Sequence, residues 1–238
     1  MDNNWLARVE PIYTIEGIEK LKNSRVVILG LGGVGSAAAE AICRSGVENI
    51  MLVDSENVNL SNINRQIIAT RDNIGKKKTL VAKERLLSIN PNCNIEERNE
   101  FYLPENSSFV FDFKPDYIVD AIDTVTAKLH LALNCYIDEI PLISCLGTGN
   151  RLDPSKLVFG DISMTSGTNC PLARIMRREL RRSGVKRLDV VFSTEPPFNP
   201  IVVDDKFGRH APASTAFVPP SAGFLIASVV IREILGIN

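Results

Sequence analysis

Residues 25–35 read R-V-V-I-L-G-L-G-G-V-G, and the fold turns on how that stretch is read. Val26, Val27, Ile28 and Leu29 make an apolar, partly β-branched run of strand length. It breaks at once into glycines at 30, 32, 33 and 35, followed by the helix-forming S-A-A-A-E-A-I-C. A strand, a tight glycine turn and a helix N-terminus in that order make a phosphate site. Bare glycines let an anion approach the backbone, and the unpaired N–H groups and dipole of the helix favour negative charge. A second apolar run, Ile50 to Val53, ends at Asp54, which lies about 20 residues beyond the turn, where a carboxylate can accept a ribose hydroxyl. The glycine spacing by itself fits any dinucleotide enzyme; a strand before it and a helix after it point to a nucleotide phosphate.

Outward from this stretch, apolar runs alternate with helical patterns. Thr14 to Lys22 predicts a short helix with Thr14 as N-cap, and the helix after the glycine turn should end at Ser45–Gly46. A further helix is expected from Ile74 to a limit at Pro91, with strands at Asn94 to Arg98 and Asp116 to Asp120. A helix over Ala127 to Ile137 and the strand P-L-I-S-C complete the first 150 residues. Beyond Gly149 come a strand at Leu157 to Ile162, a helix opening at Pro171, a strand at Leu188 to Ser193, a polar and proline-rich loop over 204–220, and a last helix from Ser221 to Leu235. This rhythm predicts an α/β fold: a doubly wound, Rossmann-like, mostly parallel sheet with a C-terminal extension of additional strands and helices. Gly30, Asp54 and Asp120 to Asp123 all fall at strand C-termini and should meet in one crevice.

Composition narrows the setting. A net charge of −1 gives no global attraction to nucleic acid or membrane, so such a partner must meet a local patch. Cysteines at 43, 93, 135, 145 and 170 form no C-x-x-C pair, which argues for a reducing compartment and against structural zinc. The N-terminus lacks the basic start and apolar block of a signal peptide. The apolar run from Ala222 to Ile231 is too short to span a bilayer. The expectation is a cytoplasmic protein with no membrane partner.

After Asp54 the chain reads S-E-N-V-N-L-S-N-I-N-R-Q and then G-K-K-K. Neutral amides, an arginine and a lysine beside a phosphate turn suit a triphosphate attacked at its α-phosphorus, where cations offset the charge that builds. With G-x-G-G-V-G, V-D and D-A-I-D-T, these motifs resemble the superfamily of ubiquitin-activating-type adenylyltransferases. Within it the chain is most similar to the tRNA threonylcarbamoyladenosine dehydratases, through L-K-N-S-R-V, N-C-P-L-A-R-I-M-R-R-E-L, F-S-T-E-P and A-S-T-A-F-V-P. The likeness runs from Arg8 to the last helix.

That resemblance implies one adenylation domain over 1–238, with a nucleotide half at 1–150 and a substrate and dimer half at 151–238. Gly30, Gly32, Gly33 and Gly35 would line the ATP site, Asp54 would hold the ribose, and Asn62, Arg65 and Gln66 would surround the phosphates. Lys78 would meet the α- and β-phosphates, Asp123 would hold Mg2+ or the nucleophile's surroundings near the α-phosphate, and Arg8 would be lent across a homodimer interface. The implied reaction is ATP-dependent: a substrate carboxylate forms an acyl-adenylate, and an internal nucleophile closes a ring and expels AMP. A monovalent cation, and a cysteine desulfurase or sulfur-acceptor partner, belong to the same implication.

Each of these readings competes with a plainer one. Arg65 and Lys78 taken singly would be surface cations, and Lys76 and Lys77 are read as solvated or facing tRNA. Asp120 could simply end its strand, which places the weight on Asp123. Arg174, Arg177, Arg178, Arg181 and Arg182 share one helical face, extended by Lys186 and Arg187, and are read as a tRNA phosphate contact. Cys170 is read as a non-catalytic thiol, because intramolecular cyclisation needs no enzyme thioester. The other four cysteines and His130 are assigned to structure, and His210 to substrate contact. A sulfur-carrier adenylyltransferase is the alternative function. It is disfavoured by the absence of C-x-x-C pairs and by arginines where a protein-docking surface would place apolar anchors. An NAD-linked oxidoreductase would not need the S-N-I-N-R-Q and G-K-K-K runs, and a degenerate binding module would not keep every polar residue.

Overall fold

The computed structural model describes residues 4–198 and 212–237. Helix α1 spans Glu10–Asn23, β1 Arg25–Leu29, α2 Gly35–Arg44 and β2 Asn49–Val53. Next come α3 at Lys78–Ile89, β3 at Asn94–Arg98, α4 at Ser108–Asp112, β4 at Tyr117–Asp120, α5 at Val125–Ile137 and β5 at Leu142–Leu146. The second half supplies β6 at Leu157–Asp161, α6 at Pro171–Arg182, β7 at Asp189–Ser193 and α7 at Val218–Leu235.

One seven-stranded sheet runs in the order β3-β2-β1-β4-β5-β7-β6, parallel except for the edge strand β6, which pairs antiparallel with β7. The extra strands of the second half therefore extend the same sheet. Both faces are apolar, so alternation sorts side chains between two cores instead of between core and water. Val26, Ile28, Ile50, Leu52, Tyr117 and Val119 face α2, α3 and α7. Val27, Leu29, Met51, Val53 and Ile118 face α4, α5 and α6. Strand order reverses at β1, whose neighbours are β2 and β4, and this opens a crevice beyond their C-terminal ends.

Three boundaries differ from the sequence expectation for local physical reasons. Helix α3 begins at Lys78 and not at Ile74, because Gly75 takes φ 87° and the chain around it pairs with residues 56–58. Gly75 N donates to Val58 O at 2.8 Å, and Lys78 N donates to Glu56 O at 3.0 Å. Helix α1 extends back to Glu10 but breaks at Thr14, whose φ is 61° and whose Oγ1 accepts from Gly17 N at 3.2 Å, so Thr14 does cap the segment after it. Helix α7 starts at Val218 and is 18 residues long, long and apolar enough by composition to cross a bilayer. It is instead a core helix: Ala222, Ile226, Val229, Val230 and Ile234 are buried with α2 against the sheet. Residues 204–211 of the expected loop, His210 among them, lie outside the described residues.

Candidate active site

The glycine turn is built by exclusion of side chains. Gly30 has φ 88°, and a Cβ there would lie 2.7 Å from Ala121 O; a Cβ on Gly35 would lie 1.8 Å from Gly30 O. Only glycine closes this turn so tightly onto both β4's exit and the start of α2. Gly30 N donates to Val53 O at 2.8 Å, joining the ends of β1 and β2. Among the described residues, the N–H groups of Gly32, Gly33, Val34 and Gly35 have no acceptor, and no side chain caps α2. These free donors sit at the positive end of a helix.

Asp54 follows β2 and accepts from Leu31 N at 2.7 Å and from Glu56 N at 2.8 Å, so it fixes the glycine turn as well as facing the crevice. Burial pushes its carboxyl above the usual range, against the pull of nearby Lys78 and of the two N–H donors. Lys78 opens α3 and is buried. Its Nζ donates to Glu56 Oε2 at 2.5 Å and lies 3.9 Å from Asp54 Oδ2. Glu56 is largely exposed and can swing away, which leaves a desolvated ammonium for an incoming anion. Asn62 is held by its own turn, Oδ1 accepting from Asn59 N at 2.9 Å. Arg65 is half-buried, with Nη1 on Ser61 O at 2.7 Å and Asn64 Oδ1 at 2.9 Å. Gln66 is buried with its Oε1 unpartnered, and its Nε2 would be 3.9 Å from a Cβ on Gly32. The structure thus gathers the four glycines, Asp54, Arg65, Gln66 and Lys78 about one crevice.

At the end of β4, Asp123 stands exposed in the turn before α5, while Asp120 does more than end a strand. Asp120 is buried with Lys128 and Ser144 in a closed network. Lys128 Nζ donates to Asp120 Oδ2 and to Ser144 Oγ, both at 2.9 Å, and Ser144 Oγ donates to Asp120 Oδ2 at 2.6 Å. Lys128 had no sequence signal beyond its place in α5; only the fold brings it under the site.

Arg8 is exposed just before α1, and buried Leu6 beside it packs under Gly46 at the C-terminal end of α2. The glycine turn is at the other end of that helix, about 15 Å away for ten residues, so Arg8 does not join the crevice of its own chain. Helix α6 presents its arginines unevenly. Arg178 and Arg182 pair with Glu179 at 2.6 and 3.2 Å, and half-buried Arg177 bonds Thr165 Oγ1. Arg174 and Arg177, with Thr165, Asn169 and Cys170, line a cavity of about 220 Å3 at the start of α6. That end of α6 adjoins Gly147, just after β5, on the edge of the sheet where the crevice lies. Arg181 and Arg182 are exposed at its far end.

All five cysteines are free thiols. Burial pushes Cys135 and Cys145 up to about 12, and Cys43 and Cys93 sit buried against each other. Cys170 caps α6, its Sγ accepting from Ala173 N at 3.4 Å. His130, half-buried on α5, bonds Tyr102 and Asn134. Among the described residues no group of three or more His, Cys, Asp or Glu could hold a metal ion unaided.

The late motifs form a clasp over this edge. Asn150 Oδ1 accepts from Ala213 N at 2.7 Å, Asn150 O accepts from Phe198 N at 2.9 Å, and Asn64 Nδ2 donates to Ser214 O at 2.9 Å. Glu195 of F-S-T-E-P accepts from Leu152 N and Asp153 N at 2.9 and 3.0 Å. Arg151 is buried beside Asn150 with its Nε unpartnered. Sequence reading had marked these motifs without assigning them a contact.

Comparison with known proteins gives four results. The ThiF family model matches residues 6–191. A Bacillus subtilis tRNA threonylcarbamoyladenosine dehydratase is 40% identical over 233 residues, covering 92% of this chain and 90% of that protein. The crystal structure of the Escherichia coli tRNA N6-threonylcarbamoyladenosine dehydratase in complex with ATP superposes with a TM-score of 0.86 at 30% identity, covering 96% of this chain and 93% of that one. The E. coli molybdopterin-synthase adenylyltransferase is 33% identical over 147 residues, 62% of this chain and 58% of that protein.

Proposed function

This chain belongs to the ThiF family, and from that membership we propose that it is an ATP-dependent tRNA threonylcarbamoyladenosine dehydratase. The observation that carries the reading is the extent of the likeness. It spans both halves of the chain for the dehydratases, and under two thirds of it for the sulfur-carrier adenylyltransferase. In the reaction, a carboxylate oxygen of the modified base attacks the α-phosphorus of ATP and pyrophosphate leaves. An internal nucleophile then attacks the adenylated carbonyl, the ring closes and AMP departs; the base has lost one water.

The site's residues suit those steps. The free N–H groups from Gly32 to Gly35 receive phosphate oxygens, and the Asp54 carboxylate receives the ribose hydroxyl. Lys78, released by Glu56, and Arg65 offset the charge that grows on the α-phosphoryl group. Mg2+ is commonly held by one or two carboxylates together with substrate phosphates, and the solvent-facing Asp123 fits that role. Arg8, remote from its own crevice, would complete the site of a second copy in a homodimer. Arg174 and Arg177, on the crevice edge of the sheet, are the arginines best placed to meet tRNA phosphates, with Arg178, Arg181 and Arg182 farther along. A cytoplasmic setting accords with the free thiols, and a sulfur-acceptor partner would meet Cys170, the one cysteine that is not buried.

Mass spectrometry of tRNA nucleosides after incubation with the protein, ATP and Mg2+ tests this. ATP-dependent loss of one water from threonylcarbamoyladenosine is the expected result. Unchanged tRNA, with ATP–pyrophosphate exchange only when a ubiquitin-like carrier is added, would move the chain to the alternative.

A further inference from the structure

We infer that Lys128, Asp120 and Ser144 are positioning residues for adenylation: a buried staple that closes the turn carrying Asp123 and cancels the charge beneath the phosphate site. The inference rests on the dehydratase reading and on Asp123 as the Mg2+ carboxylate. Asp120 ends β4 and Lys128 lies in the first turns of α5, so their bond closes residues 121–127 across the base. Within that turn Asp120 Oδ1 accepts from Ile122 N at 3.2 Å, and Ala121 O abuts Gly30. Ser144, directly opposite Asp120 in the β4–β5 register, ties the staple to the sheet.

A buried ion pair is a poor way to gain stability, because desolvation of both charges offsets their attraction, and well-packed apolar residues often serve as well. Lys128 and Asp120 are 0% and 1% exposed, so solvent does not share the cost. What the pair does supply is a fixed spacing between a strand end and a helix start, with Asp123 between them. It also has an electrostatic consequence. An uncompensated Asp120 carboxylate would sit under a crevice built for a polyanion, in a medium where repulsion is barely screened. Lys128 removes that repulsion without itself reaching the crevice.

The test compares wild type, Lys128→Met, the double variant Asp120→Asn/Lys128→Met, and Asp123→Asn as a benchmark. ATP affinity is measured by calorimetry with and without Mg2+, beside the melting temperature and the kcat and KM for tRNA. Lys128→Met should weaken ATP binding in both conditions and lower kcat roughly 10- to 100-fold, since a charged partner is left unpaired and the turn is freed. The double variant carries no buried charge, so its melting temperature and Mg2+-free ATP affinity should return to wild-type values. Its turn stays unstapled, so it should match Asp123→Asn in losing the Mg2+-dependent gain in affinity and in its low kcat, with KM for tRNA unchanged. A double variant with wild-type kcat and Mg2+ gain would overturn the inference, and so would one that fails to fold, which would make the pair a folding element only. Wild-type protein that binds Mg2+–ATP but leaves tRNA unchanged would count against the dehydratase reading alone, because the calorimetric arm uses no tRNA. Unchanged Mg2+ gain in Asp123→Asn would remove Asp123 and the staple's role with it.

Discussion

The two halves of the sheet present their polar groups in opposite ways. From β1 to β4 the donors are backbone N–H groups and buried or half-buried side chains such as Lys78 and Arg65, set around a turn that leaves no room for a methyl group at Gly30 or Gly35. From β5 to β7 they are long guanidinium side chains on α6, most of them solvated and one engaged with a threonine. The first arrangement suits chemistry at one phosphorus atom. The second suits a large, deformable polyanion, where charge counts for more than ångström placement. Tolerance to substitution should therefore differ sharply between the halves.

Gly35→Val is the severest way to break that contrast. Its side chain would meet Gly30 O, costing about 3 kcal/mol or more of packing strain, and ATP should no longer shift the melting curve. Lys78→Met comes next: loss of a preorganised cation should lower kcat by roughly 10²–10³-fold in single-turnover assays, with the fold retained. In the second half, Arg174→Glu with Arg177→Glu should raise the tRNA dissociation constant about tenfold or more. It should also reduce the salt slope of binding by about 1.5, leaving ATP affinity untouched. Equal sensitivity of ATP binding to both sets would erase the distinction. The smallest effect is expected at Glu40 on α2, away from both sites. Burial alone would raise its carboxyl, but Arg85 and Arg44 bring it net below the usual range. A depressed native pKa stabilises the fold above the ordinary carboxylate pKa and is lost as pH falls through the native one. Glu40→Gln should cost about 1 kcal/mol at neutral pH, and melting temperatures of variant and wild type should converge in acid.

The same contrast separates what the sequence alone reveals from what only the fold reveals. The glycine turn, Asp54 and the strand ending at Asp120 were legible because each depends on neighbours in the chain: a turn demands glycine, a strand demands its apolar run. Helix α6 was legible for the same reason, Pro171 and a two-faced pattern sufficing. Lys128 was not, because its meaning lies in Ser144 and Asp120 on two different strands. Nor was the late start of α3, where Gly75 and the backbone of residues 56–58 override an otherwise helical composition. The uneven roles of the arginines also needed the fold, since Thr165 and Glu179 decide which guanidiniums are occupied. Glu195 read only as a motif letter, and Asn150 carried no signal at all, because their partners at 152–153 and at 198 and 213 are set by the fold.

Helix α7 lays Pro219 against Gly33, and its Gly223 allows it to rest directly on Val34 and Ala37. The glycine turn, made early in synthesis, is therefore roofed by a helix that emerges some 185 residues later. Until then α2 has a bare apolar face, and the nucleotide half waits with an unfinished core. Contacts of such long sequence separation slow folding and expose intermediates to aggregation. A ribosome-bound chain lacking residues 218–235 should thus neither hold ATP nor resist proteolysis, so that nucleotide binding reports the arrival of α7.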